Sequence, residues 1–149
     1  MDSKVKIHKQ CLDKMRRQLS DLQAAIAKVQ EAIENEQAST AGNKYETARA
    51  MNQEKISRLH QQYQTMTKEM HVLSQIDASK PCNSAQIGAL IQTPQKNLYL
   101  SIGLGIIQIE DATIYAVSVG SPIGQSLLGK TVGDMIKMGE KTEKITSIH

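Results

Sequence analysis

The sequence contains no tryptophan and no phenylalanine, and its four tyrosines are its whole supply of aromatic rings. Single-stranded nucleic acid is commonly gripped by stacking bases on aromatic faces, so the chain lacks a platform for that mode of binding. Charge offers no substitute, because 18 basic residues stand against 15 acidic ones and a formal charge of +3 is too mild to mark a nucleic-acid surface. Only two cysteines occur, Cys11 and Cys82, in no metal-ligand spacing. They read as free thiols in a reducing compartment. No apolar run approaches the length of a membrane span, and the first residues mix Asp2, Lys4, Lys6 and Lys9 with single apolar residues where a signal peptide would be apolar. The expectation is a cytoplasmic protein. Catalytic constellations are missing as well: His8, His60, His71 and His149 have no cysteine or carboxylate at ligand spacing, and no serine lies in a nucleophile elbow. An enzyme with its own active site and cofactor is not expected.

The first half is instead organised by two apolar seams. One runs Val5, His8, Leu12, Met15, Leu19, Leu22, Ile26, Val29, Ile33, and the other Tyr45, Arg49, Asn52, Ile56, Leu59, Tyr63, Met66, Met70, Leu73, both in steps of three and four. They mirror each other about Ser39, so that Val5 opposes Leu73, Leu19 opposes Leu59 and Ile33 opposes Tyr45. An antiparallel two-helix coiled coil requires this register, because each knob must face a hole along the whole hairpin. Residues 1–77 are therefore predicted to form a helical hairpin with its turn near 38–43, where small residues, Gly42 and Asn43 permit positive φ and local capping. At 1.5 Å per residue, each arm is about 42 Å long. Asn52 reads as a polar seam residue that fixes register, and His8 as a packed, partly exposed ring near the hairpin base.

Charge along the first helix is uneven. Its base carries Lys4, Lys6, Lys9, Lys14, Arg16 and Arg17, whereas its distal end carries Asp21, Glu31, Glu34 and Glu36. A solvated face explains such a run without further assumption. Carboxylates on a protruding tip can also serve another protein's active site by helping to hold a Mg²⁺ ion, a hard cation that takes oxygen ligands. The tip candidates are Glu34, Glu36 and, just beyond the turn, Glu46.

Residues 78–84 read as a linker around Pro81, after which the apolar period changes from that of a helix to that of strands. Ile87, Ala89 and Ile91 alternate, Leu98 to Ile106 alternate over a longer run, and Ile114 to Val119 form a β-branched stretch. Gly103 and Gly105 predict a bulge or sharp bend in the long run. Ser121 to Lys130 reads as one short helix with both ends marked, by Ser121 as cap, Pro122 at the first position and Gly129 at the stop. Strands over 131–137 and 141–148, joined at Met138-Gly139-Glu140, complete a five-stranded α+β domain over 85–149, a marginal core size at about 65 residues.

The stretch Tyr115-Ala116-Val117-Ser118-Val119-Gly120-Ser121-Pro122-Ile123-Gly124-Gln125-Ser126-Leu127-Leu128-Gly129-Lys130-Thr131-Val132-Gly133-Asp134 resembles the signature of the GreA/GreB family of bacterial transcription elongation factors. Asn43-Lys44-Tyr45-Glu46-Thr47-Ala48-Arg49-Ala50 is similar to the start of that family's second coiled-coil helix. The resemblance implies a coiled coil that enters the secondary channel of RNA polymerase and an FKBP-like carboxy-terminal domain that grips the channel rim. It implies a polymerase-binding role for Ser121, Pro122 and Ile123. It also implies that acidic tip residues share the catalytic Mg²⁺ of the polymerase, which itself cleaves backtracked RNA, so contact with nascent RNA is indirect. The family's acidic pair stands a few positions ahead of the tyrosine that Tyr45 resembles, and here those positions are Ala38 and Ala41. Glu36 is then the one metal candidate, given a rearranged turn. An FKBP-like fold also raises prolyl isomerase activity, but that pocket is lined by aromatics and this half has only Tyr99 and Tyr115.

Overall fold

The computed structural model describes the backbone of residues 2–37 and 42–149, and the side chains of 3–35 and 46–149. The fold is α+β: a hairpin of two long helices followed by a small sheet domain. Helix α1 spans Asp2–Gln37 and α2 spans Gly42–Ser74. Neither helix has Gly or Pro in its interior, so no residue in them carries the large helix penalty of those two types. The predicted turn at 38–43, with Ala38 and Ala41, falls largely outside the described residues.

By contacts, the chain divides into two compact units, one of residues 15–69 and one that joins 1–14 to 70–149. In the helical unit the seams appear as expected along most of their length. Met15, Ile26 and Val29 are buried on α1, with Leu19 and Leu22 half-buried between them and Ile33 half-buried beyond. On α2, Asn52, Ile56, Leu59, Tyr63 and Met66 form a half-buried stripe. The amide of Gln23 donates to the Tyr63 hydroxyl at 2.8 Å, which joins the two helices. Two seam positions differ from expectation. Arg49 is exposed while Ala48 is half-buried, because a small residue can approach the partner helix where a guanidinium remains in water. Val5 is also exposed, and Lys4, Ile7 and Cys11 are the buried residues of that end of α1.

The reason for the second difference lies in the other unit, whose centre is a five-stranded sheet. Its strands are β1 (Leu90–Gln92), β2 (Asn97–Ser101), β3 (Gly105–Ile109), β4 (Ala112–Ser118) and β7 (Ser147–Ile148), ordered β3-β4-β2-β1-β7. Strands β5 (Met135–Met138) and β6 (Lys141–Lys144) form a separate hairpin about Gly139, which has φ +66°. Seven strands thus replace the expected five among the described residues. The run from Leu98 to Ile106 bends at Ile102-Gly103-Leu104, where Leu104 N–H bonds the Ile102 carbonyl, and β2 and β3 then lie on opposite sides of β4. Strand β2 runs parallel to β4, with Tyr99 opposite Ala116 and Ser101 opposite Ser118. The last expected strand divides at Ile145-Thr146, where Thr146 N–H bonds the Gln92 carbonyl and carries the chain over to β1.

Alternation along β1 and β2 supplies the sheet with two apolar faces. One presents Ala89, Ile91, Leu98 and Leu100 to Leu127 of helix α3 (Pro122–Leu127) and to Ile136, Met138 and Ile145. Each fully buried Leu or Ile in such a core is worth about 1.5–3 kcal/mol. The other presents Tyr99, which meets His8 of α1 at 2.8 Å. The start of α1 therefore belongs to the sheet's second layer and turns Lys4, Ile7 and Cys11 inward. Lys14, at the end of this stretch, donates from its ammonium to the carbonyls of Leu104 at 2.8 Å and Ile106 at 3.3 Å, along the outer strand β3.

Candidate functional site

Ser121, Pro122 and Ile123 are brought together at the junction of β4 and α3. The chain leaves β4 at Ser118 and reverses within two residues, with Gly120 N–H bonding the Ser118 hydroxyl at 3.0 Å. Ser121 then caps the helix: its hydroxyl oxygen accepts from Gly124 N–H at 3.0 Å and its proton goes to the Ser118 carbonyl at 2.7 Å. Pro122 occupies the first turn, where its missing N–H has no cost. Gln125 adds a side-chain bond to the Val119 carbonyl at 2.7 Å. The far end is stitched by Gly129 N–H to the Ala85 carbonyl and by Ala85 N–H to the Lys130 carbonyl, both at 2.8 Å. Gly129 itself has φ +80°, the left-handed stop expected of it.

Gly124 is what allows this helix to sit so close to the strand. A Cβ built at that position would lie 1.9 Å from the Ser118 carbonyl oxygen, so the contact admits no side chain. The close seat leaves Pro122 exposed and Ile123 half-buried against the core. Beside them is a shallow, almost wholly apolar cavity of about 380 Å³, lined by Gly103, Ala116, Val117 and Ser118 together with the three loop residues. Chemically, this is a ledge for an apolar contact. The Ser121 hydroxyl has both its donor and an acceptor position committed to the cap.

The tip candidates are placed differently. Glu34 and Glu46 are exposed, on α1 and α2 respectively. Glu36 lies in the last turn of α1 and its side chain falls outside the described residues. Among the described residues, no group of three or more His, Cys, Asp or Glu is arranged to hold a metal ion. No described helix is long and apolar enough to cross a membrane.

A second cluster, unmarked by the sequence motifs, surrounds Tyr99. The ring is fully buried, and burial, together with Cys11 and Cys82, pushes the phenol well above its usual range. Burial likewise pushes the Cys11 thiol up to about 11, against a small opposing pull from Lys14. His8 is lowered by desolvation first; Asp77 raises it and Lys4 adds to the lowering. Lys4 is 1 % exposed, and its ammonium donates to the Lys80 carbonyl at 2.6 Å. A signal for this cluster exists in the sequence, since Lys4, Ile7 and Cys11 are spaced by three and four and share one helix face.

These features define the class as an α+β protein with a helical hairpin and a small sheet domain bearing a tightly capped helix. Compared with protein-family models, with curated proteins and with solved structures, the chain gives no match.

Proposed function

We propose that this protein is a Gre-like elongation factor that binds bacterial RNA polymerase at its secondary channel and modulates elongation. The observation that carries the reading is the order of parts: a helical hairpin comes first, followed by a sheet domain whose Ser121-Pro122-Ile123 loop lies beside an apolar cavity. A hairpin of this kind suits insertion into a narrow channel. The loop supplies an apolar anchor for a rim outside it. The FKBP-like assignment of the small domain and a cytoplasmic location are part of the same proposal.

Two modes of action differ at the tip. In the first, Glu36, with Glu34 or Glu46, adds carboxylate oxygens to the Mg²⁺ of the polymerase and the polymerase cleaves backtracked RNA. In the second, the hairpin occupies the channel without promoting cleavage, a reading favoured by Ala38 and Ala41 at the positions of the expected acidic pair. The protein contributes no chemistry of its own in either mode.

Binding is tested by capture of core RNA polymerase on the immobilised protein at micromolar concentration. Retention is the expected result, and its absence would favour a coiled-coil spacer protein with another partner. Halted, backtracked complexes with end-labelled RNA then separate the two modes. Faster cleavage at saturating protein, abolished by Glu36→Ala, selects the first; an unchanged rate selects the second.

A further inference from the structure

Lys4 and Cys82 form a pair that the proposed function does not use. Lys4 lies in the first turns of α1 and Cys82 in the segment that follows Pro81, yet the Lys4 Nζ and Cys82 Sγ atoms are 3.8 Å apart. Lys4 is almost completely buried, and among the described residues no carboxylate lies within 4 Å of its ammonium. Its polar neighbours are the Lys80 carbonyl and the Cys82 sulfur. The same sulfur receives the Gln86 side-chain amide at 3.4 Å. Two N–H donors therefore converge on one sulfur, which places the Lys4 nitrogen beside the atom that an oxidant would modify.

Access separates the two cysteines. Cys82, 8 % exposed, lines a cavity of about 470 Å³ together with His71, Asp77, Lys80 and Gln86. Cys11 is sealed at 0 % exposure. Burial pushes its thiol further from the thiolate form.

We propose that Cys82 is a peroxide-oxidised thiol that Lys4 traps as a reversible sulfur–nitrogen cross-link. In the first step the Cys82 sulfur attacks hydrogen peroxide, the O–O bond breaks, one oxygen stays on sulfur as a sulfenic acid and the other leaves as water. The sulfur is oxidised by two electrons and the peroxide is reduced by two. In the second step the Lys4 ammonium gives one proton to solvent, the neutral amine nitrogen attacks the sulfenic sulfur, and the S–O bond breaks. A second proton from the nitrogen departs with the hydroxide as water. A thiol reductant reverses the bond by attack at sulfur, which restores the amine and, after a second exchange, the Cys82 thiol. The cross-link ties the first turns of α1 to the chain at Pro81-Cys82, both within the unit that holds the sheet.

The full-length protein, treated with hydrogen peroxide and digested without reductant, is read by mass spectrometry. A peptide containing Lys4 joined to one containing Cys82 is expected, two hydrogens lighter than their sum, and lost after dithiothreitol. Lys4→Arg keeps a cation but removes the nucleophilic amine, so Cys82 in that variant should instead accumulate as a sulfenic acid captured by dimedone. Wild-type protein in which Cys82 proceeds to sulfinic acid with Lys4 free, or in which Cys82 pairs with Cys11, overturns the proposal. The wild-type result decides even where the variant folds poorly.

Discussion

The Tyr99 hydroxyl and the Nδ1 atom of His8 are 2.8 Å apart, with the two rings edge to face at 83°. A fully buried phenol on a central strand is thus satisfied by a half-buried ring on a helix that precedes it by 91 residues. Removing the hydroxyl while keeping the ring isolates that bond. Tyr99→Phe should lower stability by about 1 kcal/mol, read as a fall in the urea midpoint without a change in slope.

The same contact gives the protein a pH response. Desolvation lowers the His8 pKa below 6.5, so the unfolded chain takes up that proton first as pH falls. The stabilising contribution is therefore fully present above 6.5 and is lost as pH drops through the lower folded value. Urea midpoints measured between about pH 8 and about pH 5 should decline for the wild type. His8→Gln should flatten that part of the profile.

Ile7 and Val5 lie two positions apart on α1, at 3 % and 45 % exposure. Truncation to alanine should separate them sharply. Ile7→Ala should cost roughly 2–4 kcal/mol of unfolding free energy through the cavity it leaves. Val5→Ala should stay within about 0.5 kcal/mol of wild type, as expected of a surface change.

Gly124→Ala places a methyl group against the Ser118 carbonyl, which a backbone cannot yield cheaply. A loss of about 3 kcal/mol is expected, with α3 displaced from the sheet. Gly129→Ala meets open space and has only its φ of +80° to overcome, so about 1–2 kcal/mol is expected there. Thermal unfolding of the two variants side by side checks the order.

Ser121 and Pro122 separate capping from recognition. Ser121→Ala removes the cap and should lower stability by about 1 kcal/mol whatever the loop binds. Pro122 is exposed, so Pro122→Glu should leave the melting temperature nearly unchanged while weakening retention of RNA polymerase. Unaltered retention by Pro122→Glu would remove that residue from the proposed interface.

The helical part of the fold was legible because three-and-four spacing reports burial directly when one helix packs on one partner. Met15 to Ile33 and Asn52 to Met66 meet that condition. The pattern misled at Val5, where α1 covers a sheet and a neighbouring face, through Lys4, Ile7 and Cys11, becomes the inner one. Apolar alternation also located most strand residues, but it carries no information about which strand each will join. Leu98 to Ile106 therefore read as one bent strand, whereas the bend at Gly103 sends its halves to opposite sides of β4. The cap at Ser121 was readable because caps depend on contacts within a few residues, whereas the close seat of Gly124 on the Ser118 carbonyl was not. The Lys4 and Cys82 contact joins positions 78 residues apart, beyond the reach of any local rule.

Lys14 gives the sheet a defence that the strand sequences lack. Strand β3 closes one side of the sheet and carries Ile106 at 55 % exposure, an invitation to another extended chain. The ammonium from α1 already occupies the Leu104 and Ile106 carbonyls, the acceptors on which an incoming strand would zip. A helix thus caps two carbonyls beside an edge strand about 90 residues away in sequence, acceptors that an added strand would otherwise need.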